Sequence, residues 1–263
     1  MQVALVDRGN GTTYLLSTGD DTQYTASIVK VNIVAKWLHH YQGQGVRIPG
    51  GIPFSIRSLM QLQIEISDNA AATALFYFGG GCQALTAFND LIPLARTTVG
   101  CETPTYYGWG NTTTTAADQA DLMKIIAYGG RDDVVGRDAR RYLLQVMQGV
   151  VPDQRFGITC GPWGTRCKPP DYASPRPGVR VALKTGWKPV PTCTKPAERC
   201  PWQVNSMGWV AGKGRNYVLA VLTTNNPPGH GRPEASATAP EPEASYGIDT
   251  IQGISKLIWA NLA

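Results

Sequence analysis

Over 263 residues, 43% of the side chains are hydrophobic and 16% charged, a balance that supports a packed core and excludes a disordered chain. The formal net charge of +5 is spread over 24 Lys and Arg without a long run of one sign, so a solvated basic surface is expected and a nucleic-acid-binding arm is not. No stretch of about 20 apolar residues occurs, which leaves no stable membrane insertion to consider.

Residues 2–7 (QVALVD) are an apolar run, followed by R-G-N-G and by TTYLL at 12–16, the pattern of a β-hairpin. From Ser27 onward SIVKVNIVAKWLHHYQ is apolar on nearly every side, which predicts a buried central helix. Residues 55–66 are ambiguous: Met60, Leu62, Ile64 and Ile66 alternate like a strand, while Ile56, Leu59 and Met60 repeat like a helix. Helices are predicted over 69–78 and 83–91, separated by the glycine breaker at 79–81. A loop rich in Gly, Pro and Tyr spans 97–109, and helices follow at 115–127 and 137–148.

Strand signals return at 179–186 (VRVALKTG), 203–211 (QVNSMGWVA) and 217–224 (YVLAVLTT). Residues 227–242 read as a Pro-rich surface loop, and 246–262 as a terminal amphipathic helix. Strands at both ends with helices between them predict an α/β (α+β) molecule, in which a five-stranded antiparallel sheet is assembled from the two termini and an all-α lobe is inserted in the middle. One domain over 1–263 is expected, with a sheet lobe at about 1–26 and 178–263 and a helical lobe at about 27–177.

The six cysteines fall into three local pairs, Cys82 with Cys101, Cys160 with Cys167 and Cys193 with Cys200. Such pairing suggests three disulfides and an oxidising compartment, so a secreted or cell-envelope protein is expected, with its export signal removed or lying outside this sequence. Zinc is the rival reading, but no C-x2-C or histidine cluster accompanies the pairs, and neither a metal nor another cofactor is expected.

Ser27-Ile28-Val29-Lys30 sets a hydroxyl at the start of the buried helix and an amine one turn later, where positions i and i+3 share a face about 5–6 Å apart at Cβ. Burial disfavours the ammonium form, and a neutral Lys30 can take the proton of Ser27. Ser67-Asp68-Asn69 lies between two predicted helices, and Lys184-Thr185-Gly186 ends a predicted strand. Together with the TTTTA segment before a helix, VPDQRFGI at 151–158, VALKTGW, VNSMGW and the closing helix, these motifs resemble the class A β-lactamase-related and penicillin-binding-protein family over nearly the whole chain.

The resemblance implies an acyl-enzyme at Ser27, with Lys30 as activating base and Ser67 relaying a proton to the leaving nitrogen. It implies that Asn69 holds a substrate amide, that Lys184 and Thr185 meet a carboxylate, and that the backbone N–H groups of Ser27 and of Trp187, just after Gly186, form an oxyanion hole. Asp68 is read as a structural hydrogen-bonding residue. Glu102 is the local candidate for a deacylating base, although Thr105 and Tyr106 stand where the family's loop carries Leu and Asn. The expected partner is a small β-lactam or a D-alanyl peptide, bound by a monomer. The motifs do not separate a serine β-lactamase-like hydrolase from a D-alanyl-D-alanine carboxypeptidase or transpeptidase, or from a pocket that binds penicillin or cell wall without turnover.

Overall fold

The computed structural model describes residues 1–19, 22–92, 94–101, 107–130, 134–164, 167, 176–196, 199–229 and 242–262. The chain opens with β1 (Gln2–Asp7) and β2 (Thr13–Ser17), and closes with β5 (Val179–Pro189), β6 (Trp202–Gly212), β7 (Arg215–Asn226) and helix α8 (Ser245–Asn261); a short pair, β3 (Gln23–Tyr24) and β4 (Thr113–Thr114), lies between these sets. The five long strands form one antiparallel sheet in the order β2-β1-β7-β6-β5, as expected from the two ends of the sequence. β1 pairs with β7 from Gln2 opposite Leu222 to Asp7 opposite Tyr217, so the first and last strands of the chain close the sheet together.

Burial explains the composition of the strands. Tyr217 to Leu222 are all buried, which is why β7 reads as a continuous apolar run rather than an alternation. β2 is an edge strand, exposed along its whole length. β5 is the opposite edge, and it is longer than its sequence signal because Trp187, Lys188 and Pro189 continue the pairing with β6.

The helices are α1 (Lys30–Gly43), α2 (Phe54–Glu65), α3 (Asn69–Phe78), α4 (Gly81–Asp90), α5 (Ala116–Tyr128), α6 (Arg137–Gln148) and a short α7 (Cys160–Trp163) that the sequence did not signal. Helix α1 runs through the core, with Val31, Val34, Ala35 and Leu38 fully buried. The ambiguous segment is the helix α2, because Met60, Gln63 and Ile64 bury one helical stripe. Gly80 and Gly81 both take positive φ and separate α3 from α4, a conformation that suits residues without Cβ. Thr115 caps α5 by accepting from the Asp118 N–H at 3.1 Å. All three cysteine pairs are joined as disulfides.

The two faces of β6 serve different neighbours. A Cβ placed on Gly247 of α8 would meet Val204, and one on Gly157 would meet Ser206 and Ile251, so the even-numbered residues face α8 and the 157–159 turn. Asn205, on the other face, donates to the Tyr24 and Thr25 carbonyls at 2.9 and 3.0 Å. That second face carries the site.

Candidate active site

Ser27 lies in a single 3-10 turn, Ala26–Val29, which runs directly into α1 at Lys30. Ser27 is half-buried, and its hydroxyl has no hydrogen-bond partner among the described residues. The turn is held from behind by β6, where Asn205 and Gln203 donate to the Tyr24 carbonyl and Asn205 also to that of Thr25. The Thr25 N–H donates to the Thr112 carbonyl at 2.7 Å.

Lys30 is fully buried. Its Nζ donates to the Ser67 carbonyl at 2.6 Å, to Ser67 Oγ at 3.1 Å and to Asn69 Oδ1 at 2.8 Å, and it lies 5.0 Å from the centre of the Trp109 ring. Burial, reinforced by the charge of Lys184 and opposed by Asp68, holds the Lys30 amine well below the usual lysine range. Trp109 is itself fixed by an indole N–H donated to Thr73 Oγ1 at 3.0 Å.

Ser67 reaches Lys30 with both its hydroxyl and its carbonyl because it adopts a left-handed backbone, φ 59°; Ala26, next to Ser27, is also left-handed at φ 47°. Non-glycine residues in this region cost about 1–3 kcal/mol each, and such strain concentrates at functional sites. Asp68 follows as the cap of α3, accepting from the Ala71 N–H at 2.6 Å.

From the sheet, Lys184 is also fully buried and donates to Ser67 Oγ and to the Thr185 carbonyl, both at 3.0 Å. Burial pulls its amine down to about 7. Ser67 Oγ therefore sits between two lysine amines. Gly186 packs onto the serine turn so closely that a Cβ there would lie 2.6 Å from Ser27 N and 3.0 Å from Ile28 N. Trp187, half-buried, makes an edge contact with Phe156 at 5.6 Å.

Ser27, Lys30, Ser67, Asn69, Lys184 and Gly186 are thus brought around one cleft. Thr185 points to the opposite face of β5, fully buried, and donates to the Gln154 carbonyl at 3.1 Å, so its hydroxyl meets a carboxylate only by giving up that bond. Glu102 and Tyr106 lie outside the described residues.

Gln154 and Asn205 carry supporting contacts that the sequence did not mark as functional, whereas Trp109, which the sequence offered with Tyr106 and Tyr107 as a substrate wall or as local packing, packs against Lys30. Gln154 joins two parts of the cleft, since its Nε2 donates to the Ile66 carbonyl at 3.0 Å while its own carbonyl holds Thr185. Its place inside VPDQRFGI was the available signal.

The model of the beta-lactamase enzyme family matches residues 39–262, a span that begins after Ser27 and Lys30. No curated protein matches the chain in sequence. Among solved structures, an ancestral class A beta-lactamase (GNCA) superposes with a TM-score of 0.69 at 20% identity, covering 99% of this chain and 94% of the other. PBP-A superposes at 0.68 with 18% identity, covering 98% and 88%. A PBP-A mutant in an acyl-enzyme complex with penicillin G gives 0.68 at 19%, again with 98% and 88% covered. At these identities the likeness establishes the fold.

Proposed function

This chain belongs to the beta-lactamase enzyme family, and from that membership we propose that it is a serine hydrolase acylated on Ser27 by β-lactams or related acyl substrates. The observation that carries the reading is the buried Lys30 amine, one turn from a half-buried serine and bonded to Ser67 and Asn69 with its proton affinity lowered.

Neutral Lys30 takes the Ser27 hydroxyl proton as Ser27 Oγ bonds to the substrate carbonyl carbon, and the backbone N–H groups of Ser27 and Trp187 receive the oxyanion. Ser67 then gives its proton to the leaving nitrogen and takes one from Lys30, which returns the amine to its neutral form as the carbon–nitrogen bond breaks. Lys184, protonated, holds the substrate carboxylate and steadies Ser67. Asn69 binds the side-chain amide. Glu102 is the proposed base for deacylation.

Carboxypeptidase or transpeptidase action on D-alanyl peptides uses the same steps, and the likeness to PBP-A favours it as the second reading. A persistent, unhydrolysed adduct would make the protein a penicillin-binding module. The three disulfides fit an extracytoplasmic location, and among the described residues no helix is long and apolar enough to cross a membrane.

Intact-mass measurement over time with a fluorescent penicillin tests the reading. A transient adduct is expected for a hydrolase and a persistent one for the peptidase or binding module. Ser27→Ala is expected to lose the adduct altogether, and an adduct that survives in this variant refutes the assignment. Glu102→Gln is expected to lengthen the life of the adduct.

A further inference from the structure

β5 is an edge strand of the sheet, and one of its faces lies against the serine turn at Gly186. Alternation along a strand puts Lys184, Gly186 and Lys188 on one face, the face that meets Ser67, Ser27 and Tyr24 in turn. Gly186 abuts Ser27, so the two lysines stand on either side of the nucleophile, with their Cα atoms about 13 Å apart at the usual strand rise.

Lys188 is half-buried; its Nζ lies 5.4 Å from the centre of the Tyr24 ring and donates to Asn111 Oδ1. Among the described residues no carboxylate pairs with it. A lysine ammonium has three donors, so the bond to Asn111 leaves two to offer. Lys188 is not itself in the wall of a cavity, but through its two neighbours it adjoins one of about 330 Å³ that Tyr24 and Asn111 line with Thr98, Gly100, Cys101 and Pro191 among others. Burial lowers the Lys188 amine from its ordinary value, and an anion arriving beside it would restore the charge.

We propose that Lys188 and this cavity form a subsite for an anionic group on the acyl side chain, so that the substrate class is an acyl donor with two carboxylates, one met by Lys184 on the leaving side and one by Lys188 beyond Ser27. The inference rests on the reading of Ser27 as the acylated residue and of Lys184 as the cation for the first carboxylate. It adds a charge requirement at the far end of the cleft.

Penicillin G and carbenicillin are suitable probes, because they share the phenylacetyl side chain and differ by one carboxylate on it. Second-order rates of Ser27 acylation are read by intact mass for the whole chain. In Lys188→Gln, which keeps a donor for Asn111 but removes the charge, the ratio of the carbenicillin rate to the penicillin G rate is expected to fall about tenfold, the scale of one charge-assisted hydrogen bond. In Lys188→Arg the ratio is expected to stay within about twofold of wild type.

If Lys188 only tethers the 108–111 turn to β5, both probes slow equally and the ratio does not move, which overturns the proposal. An equal fall of the ratio in both variants also overturns it. Absence of an adduct on wild-type Ser27 with either probe refutes the parent reading instead, and is seen before any variant is made.

Discussion

Burial makes a lysine amine easier to deprotonate, and this applies to both Lys30, where the charge of Lys184 adds to the effect, and Lys184, where burial acts alone. The proposed chemistry asks opposite things of them: Lys30 has to be neutral to accept a proton, Lys184 charged to hold a carboxylate. Acylation is therefore expected to rise with pH as Lys30 deprotonates and to fall as pH passes about 7, where Lys184 loses its charge. Replacing Lys184 by Arg, which does not titrate in this range, should remove the fall near 7 while leaving a rising limb; steady-state rates across pH check this. The same shift bears on stability. Between about 7 and 10.5 the unfolded chain holds a proton on Lys184 that the folded chain lacks, so stability from this group rises with pH over that window, by at most about 1.4 kcal/mol per unit. Urea midpoints of wild type and Lys184→Met measured across that window should show the wild type gaining relative to the variant.

Two junctions between elements deliver these side chains. Asp68 caps α3, and its negative charge also raises the proton affinity of Lys30. Asp68→Asn keeps a capping oxygen but not the charge, so the rising limb of the rate profile should move to lower pH with almost no loss of stability; Asp68→Ala should in addition cost about 1 kcal/mol in chemical denaturation. The second junction is the contact of β5 with the serine turn. A Cβ on Gly186 would fall 2.6 Å from Ser27 N, between two pieces of backbone that have no flexible end to move aside. Gly186→Ala is expected to slow acylation about 100-fold, because the strand has to retreat from the nucleophile, while far-UV circular dichroism stays as in wild type. A variant as fast as wild type would show that the close approach does not matter.

At the scale of the whole molecule, the first strand is paired along its full length with the last one, so early and late segments of the chain share one sheet, with α1 to α7 between them in sequence and α8 after them. This supports the proposal of one domain with two intergrown lobes. Thermal unfolding followed by helix circular dichroism and by tryptophan fluorescence is expected to give one coincident transition. The Cys82–Cys101 disulfide closes the largest of the three loops, with a sequence separation of 19. Replacing both cysteines by serine should lower stability by about 3 kcal/mol on the chain-entropy account, measured as a shift in the denaturant midpoint.

Local pattern determined much of this protein. Ser27 and Lys30 lie one turn apart, Asp68 precedes a helix it can cap, and the apolar runs of β1, β6 and β7 are long enough to announce buried strands, because each of these facts is written in neighbouring residues. The limits of α2 and the existence of α7 and the β3–β4 pair were not legible, since a segment with two periods or of two to four residues has no pattern to read. Only the tertiary structure decided that Asn205 holds the carbonyls before Ser27 across 180 residues, that Gln154 ties Thr185 to the Ser67 turn, that Trp109 covers Lys30, and that Lys188 falls in line with Lys184. The physical reason is that these contacts join distant segments, and their energies depend on burial and on distances of about 3 Å that arise when the sheet closes around the helices.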